Sequence, residues 1–149
     1  MNKKSALGLL AIVAIAAVAT PAFAKNFTVK ELNSGAAGTF VFEPNYLHVK
    51  PGDTVTFEPT DAGHDSQSFE VPAGAQAWKS EIGKPITVTF KKDGVYLYEC
   101  NPHHLFGMLG VIEVGKATNK AQAEKAAAAM EKTQVMNKGR LTKLMAEVK

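Results

Sequence analysis

Apolar and polar residues alternate in short runs through most of the chain. Residues 27–32 keep the period of two that a strand with one buried face requires, and Asn33-Ser34-Gly35 breaks it. Residues 39–42 and 46–49 make a second and third run, divided by Glu43-Pro44-Asn45. Pro51-Gly52-Asp53 turns the chain into the alternating residues 54–57, residues 85–90 repeat that period, and Lys92-Asp93-Gly94 is a hairpin-type turn. Residues 95–98 and 109–114 complete the series. Six or more strands this short, with turn chemistry between them, predict an all-β antiparallel sandwich. The same period sets His48 on the opposite face from Leu47 and Val49, at the surface.

Both ends of the chain break this pattern. After Gly115 the composition shifts to Ala, Lys and Gln, which favour helix. Residues 120–132 are Ala-rich, Asn137-Lys138-Gly139 interrupts, and Leu141, Leu144, Met145 and Val148 then fall at i, i+3, i+4 and i+7 on one helical face. Two short C-terminal α-helices laying an apolar stripe on the sandwich account for this better than a basic helix on a membrane surface. At the other end, Lys3 and Lys4 precede an apolar run over residues 6–18, and Ala22-Phe23-Ala24 supplies a small-x-small cleavage pattern. The run is short for a span of ~20 residues, so the expectation is a signal peptide over residues 1–24, cut before Lys25, with no stable membrane insertion afterwards. What remains is one domain: a sandwich over residues 25–115 and a helical extension over residues 116–149 packed on it.

Charge divides along the same line. Residues 25–115 hold 7 Lys against 11 Asp and Glu, a net −4, whereas residues 116–149 hold 8 Lys and Arg against 3 Glu, a net +5. No basic stripe interleaved with aromatics is present, so nucleic acid is not an expected partner.

The candidate chemistry sits in residues 100–108, Cys-Asn-Pro-His-His-Leu-Phe-Gly-Met. A lone Cys is often a small buried hydrophobe, and a Met after Gly is often core filling. Together, Cys100, His103 and Met108 at Cys-x2-His-x4-Met spacing offer a thiolate, an imidazole and a thioether at the end of an apolar strand. A trigonal Cys-His-His plane with a weak axial Met is the arrangement of blue-copper electron-transfer sites. The second equatorial histidine must come from elsewhere, and His64 is the best candidate. The expected metal ligands are therefore His64, Cys100, His103 and Met108, around one copper ion cycling between Cu(I) and Cu(II). An exported chain with one cysteine has no internal disulfide to form, so metal ligation gives the thiol a reason to be there.

These segments resemble the cupredoxin family, and within it the pseudoazurin group. The matching stretches are Val41-Phe42-Glu43-Pro44, Pro51-Gly52-Asp53-Thr54-Val55-Thr56-Phe57, Pro59-Thr60-Asp61 with Gly63-His64, Gly94-Val95-Tyr96, and the ligand loop. The resemblance implies a Greek-key β-sandwich with two short C-terminal helices. It also implies a monomeric, periplasmic type 1 copper electron carrier rather than an enzyme. Its partners would be periplasmic redox proteins such as a nitrite reductase or a c-type cytochrome, met at an apolar patch around His103. Ala36, Ala37, Pro102, Leu105, Phe106 and Met108 are the expected patch members. Relatives often carry lysine where this chain has Ser34, Ala36, Ala62 and Glu99, so docking is expected to be mainly apolar and little affected by salt. A second departure is Asp65, where the family usually has an Asn tying the two ligand loops together; a carboxylate accepts hydrogen bonds but donates none. A copper-delivery protein is the alternative function, although the chain has no Met-rich tract. A multicopper enzyme would need more histidines than His48 and His104 leave over.

Overall fold

The computed structural model describes residues 23–149. The signal peptide expected over residues 1–24 lies, but for its last two residues, outside them. Eight strands build two four-stranded sheets: β1 (Asn26–Gly35), β2 (Gly38–Glu43), β3 (Tyr46–Val49), β4 (Thr54–Pro59), β5 (Gln67–Glu70), β6 (Ile86–Thr89), β7 (Gly94–Glu99) and β8 (Leu109–Val114). One sheet has the order β2-β1-β4-β6 and the other β3-β8-β7-β5. The expected sandwich is present, but each sheet is mixed where the alternation pattern had suggested purely antiparallel pairing. β1 runs parallel to β4, from Asn26 opposite Thr54 to Glu31 opposite Pro59, and β3 runs parallel to β8. The cause is topological. The chain crosses from β2 to β3 in the other sheet before returning as β4, so β4 reaches β1 through a crossover.

Strand β5 escapes the alternation rule. Its residues Gln-Ser-Phe-Glu are all half-buried, and its pairing with β7 is irregular between Ser68 and Glu70. A strand with neither face fully covered leaves no period to read. His48 is exposed, as its period requires.

Between the sheets lies a core that includes Val29, Phe42, Phe57, Trp78, Phe90, Tyr96, Tyr98 and Ile112, with Cys100 and Met108 at one end. A second core covers the outer face of β7 and β8. There Val95, Leu97, Leu109 and Val111 meet Ala123 and Ala127 of α1 (Lys120–Glu131). Leu141, Leu144 and Met145 of α2 (Arg140–Met145), with Val148 beyond it, complete the cluster. Every residue of β7 and β8 is consequently buried. A six-residue helix is not stable alone in water. α2 is held by its apolar face, where each large buried side chain contributes about 1.5–3 kcal/mol. Among the described residues no helix is long and apolar enough to cross a membrane.

Candidate metal centre

The site forms where β7 ends. Cys100 follows its last residue, and Pro102 sits in the first turn of a 3-10 helix over Asn101–Phe106, where its missing N–H leaves no bond unmade. Gly107, in the left-handed region at φ +75°, ends that helix by donating its N–H to His104 O at 3.0 Å. The turn closes on itself. Cys100 N–H donates to Met108 O at 3.1 Å, and Met108 N–H donates to His103 O at 3.2 Å. One tight loop thus gathers Cys100, His103 and Met108, while His64 arrives on the segment between β4 and β5.

His64, Cys100 and His103 form the one His/Cys/carboxylate cluster with metal-binding spacing among the described residues. Cys100 Sγ lies 3.6 Å from His64 Nδ1 and 3.4 Å from His103 Nδ1, and the two nitrogens are 3.1 Å apart. Metal bonds of about 2.0–2.3 Å in a trigonal plane would separate three such donors by roughly 3.5 Å, so the trio fits one metal ion. His64 and Cys100 are fully buried. Met108 is fully buried as well and packs in the same core cluster as Cys100. The neighbouring His104 turns away, its Nδ1 2.7 Å from Asn101 O.

A second layer orients these groups. His64 Nε2 lies 3.0 Å from Asn33 Oδ1, so a proton on Nε2 leaves the Nδ1 lone pair facing the cluster. Asn33 continues the inward face of β1 after the buried Val29 and Glu31. The His103 ring stacks on Phe40 at 4.6 Å between centroids and 18° between planes. Neither Asn33 nor Phe40 carries a mark in the sequence that ties it to a metal site. Asp65 keeps the loop tether that its substitution for Asn had put in question: its Oδ1 accepts the Asn101 N–H at 2.6 Å. That bond needs only an acceptor, and a carboxylate supplies one.

Burial, ahead of all other causes, pushes the Cys100 thiol up to about 12. The Asp65 and Glu31 carboxylates raise it further, while the backbone N–H groups of Asp65 and His103 oppose the rise. Burial also lowers both histidines, and His103 lowers His64 further. Near pH 7 the metal-free site therefore holds two neutral imidazoles ready to ligate and a thiol that must lose its proton as metal enters.

Soft sulfur and borderline imidazole are the donors copper favours in both oxidation states, and the family comparison agrees. Residues 29–115 match the family described as copper binding proteins, plastocyanin/azurin family. The chain belongs to this family of copper-binding proteins. Among its relatives is a pseudoazurin of Methylorubrum extorquens, 41% identical over 123 residues, covering 80% of this chain and 83% of the relative. Another, from Paracoccus pantotrophus, is 38% identical over 119 residues, covering 78% and 82%. The crystal structure of native pseudoazurin from Hyphomicrobium denitrificans superposes with a TM-score of 0.75 at 33% identity, covering 83% of this chain and 98% of that one. The chain is a cupredoxin, and copper is its cofactor.

Around His103 the surface differs from the patch expected from sequence. Ala36, Ala37, Pro102 and Leu105 are exposed and Phe106 is half-buried, but Met108 is fully buried and belongs to the core. Glu99 is buried too, its Oε1 accepting Gln67 Nε2 at 2.6 Å, so it does not place a charge on this face. Val135 and Met136 of the tail, 62% and 43% exposed, add apolar surface beside Leu105, whose carbonyl accepts the Val135 N–H.

Proposed function

We propose that this cupredoxin is a periplasmic carrier of single electrons, with His64, Cys100, His103 and Met108 holding one type 1 copper ion. The observation that carries this is the convergence of one sulfur and two imidazole nitrogens within 3.1–3.6 Å of one another at a buried strand end. Copper bound there supplies a one-electron Cu(II)/Cu(I) couple. The protein's part is to hold the donors. The Asn33 contact fixes the His64 ring, the Phe40 stack fixes the His103 ring, and the loop hydrogen bonds fix Cys100 against Met108. A donor set held this firmly moves little when the metal charge changes, which lowers the barrier to electron transfer. Burial of Cys100 and His64 keeps water and exogenous thiols from the sulfur. His103 is half-buried between the exposed Pro102 and Leu105, so its ring is the part of the set closest to a docked partner.

Export to the periplasm rests on the leader-like residues 1–24. The partners are periplasmic redox proteins, a copper nitrite reductase or a c-type cytochrome, met at the apolar surface around His103. The protein works as a monomer and catalyses no reaction of its own. Cu(II) added to the purified protein should give an intense blue or green colour that disappears on reduction. Cys100→Ser should abolish that band even where metal still binds, because a hydroxyl is a poor substitute for a thiolate. A colourless Cu(II) adduct of the unmodified protein would favour copper delivery over electron transfer. A band that survives in Cys100→Ser would remove Cys100 from the ligand set.

A further inference from the structure

The segment between the two helices, with Arg140 at the start of α2, makes a pattern of contacts that copper ligation by itself does not require. Four consecutive carbonyls of the ligand loop each accept a hydrogen bond from it. His104 O accepts Gln134 Nε2 at 2.9 Å, and Leu105 O accepts the Val135 N–H at 2.8 Å. Phe106 O accepts Asn137 Nδ2 at 2.7 Å, and Gly107 O accepts Arg140 Nη1 at 2.6 Å. These carbonyls span the stretch between His103 and Met108.

The same residues also hold the strand that carries Phe40. Asn137 Nδ2 reaches Thr39 O at 3.2 Å, and Arg140 donates to Phe40 O at 2.6 Å, Thr39 O at 3.1 Å and Ala37 O at 3.2 Å. Phe40 has φ +47° and Asn137 φ +50°, the two non-glycine residues in the left-handed region among those described. For a bulky residue such as Phe that backbone is strained and persists only where surrounding contacts over-determine it. Arg140 provides those contacts on one side, and the ring stacked on His103 lies on the other. The guanidinium is half-buried and all four of its contacts are to carbonyl oxygens. A planar fork with five N–H donors can serve four carbonyls at once; a lysine ammonium has three donors on one atom.

We propose that residues 134–140 form a strap that positions the copper-ligand loop, with Arg140 as the positioning residue that locks Gly107 and Phe40, and through them His103 and Met108, in register. The proposal rests on the copper reading above for its consequence at the metal, but the strap itself is a property of the metal-free chain. On this view the C-terminal extension braces the site from outside, in addition to covering the sheet.

The test uses the full-length protein with Arg140→Ala and Arg140→Lys. In the metal-free protein, amide exchange at Gly107 and Met108 should quicken at least tenfold in both variants, while the amides of β7 and β8 keep their rates. In the copper-loaded protein both should move the Cu(II)/Cu(I) equilibrium by threefold or more, roughly 28 mV at 59 mV per tenfold, because the loop that carries His103 and Met108 loosens. The visible band should shift with it. Equal quickening in strands and loop would reduce Arg140 to a general stabiliser and overturn the proposal. So would a lysine variant with unchanged loop exchange and unchanged potential, since charge alone would then suffice. If the unmodified protein gave no blue site, the electron-carrier reading would fail while the exchange comparison still decided the strap.

Discussion

Glu31 is the residue whose chemistry fits its surroundings least. It is fully buried on the inward face of β1, and neither carboxylate oxygen has a hydrogen-bond partner among the described residues. Burial, and then the Asp65 carboxylate, raise it to about 7. An acid raised in the folded state holds its proton more tightly there than when unfolded. Its contribution to stability is therefore greatest below the ordinary value of 4.5, falls as pH rises, and levels off above about 7. In metal-free protein, Glu31→Gln should melt about 4 °C or more above the unmodified chain at pH 8, and the gap should close toward pH 4.5. Thermal unfolding across that range decides it, and a gap independent of pH would clear the carboxylate. At the metal, Met108→Leu should retain copper and raise the reduction potential, because a donor that helps stabilise Cu(II) is gone. Voltammetry showing no change would assign Met108 to packing alone. Sequence showed much at this scale: Cys100, His103 and Met108 stand on one loop at a spacing that one metal explains. Asn33 and Phe40 stayed hidden, because they reach the histidines through the fold, from 31 and 63 residues away.

Among the elements, regular amphipathic segments were legible and irregular ones were not. β1, β4 and β6 follow the alternation, β7 and β8 are buried on both faces, and the Leu141, Leu144, Met145 and Val148 face is buried as its spacing predicts. β5 has no period, and the parallel pairings depend on a crossover that local pattern cannot encode. The joint between loop and tail is a further case. A Cβ on Gly107 would stand 2.8 Å from Asn137 Cβ and 3.0 Å from Met136 O, at a left-handed φ of +75°. Gly52 also has positive φ, at +98°, but has nothing within 4 Å. Both alanine variants carry the backbone cost, of about 1 kcal/mol or more. Gly107→Ala carries the clash as well, so it should lose about 1–2 kcal/mol more than Gly52→Ala in urea unfolding. Equal losses would mean the tail yields without cost.

At the scale of the whole molecule, the charge division read from sequence gains a location. The body is acidic and the tail basic, and residues 134–140 of that tail lie against the ligand loop. Lys132 and Lys138 are exposed within two residues of those contacts. The expectation of little salt dependence rests on the lysines missing at Ser34, Ala36, Ala62 and Glu99, and the fold brings two tail lysines beside the same loop. Charges are screened beyond ~10 Å at about 0.1 M salt, and these two stand next to residues that touch the loop. Stopped-flow electron transfer with an acidic partner should therefore slow several-fold from low to physiological salt, and Lys132→Ala with Lys138→Ala should flatten that dependence. A flat profile in the unmodified protein would return docking to apolar contact alone.

The reach of Arg140 also sets an order of events in the life of the chain. It bonds Ala37, Thr39 and Phe40 across 100 to 103 residues of sequence. A growing chain that has reached Val114 already contains all four donor side chains and the loop's own hydrogen bonds, but lacks the four that residues 134–140 give to its carbonyls. Residues 134–140 close over the metal loop last, so a chain still emerging from a ribosome carries that loop without its outer brace.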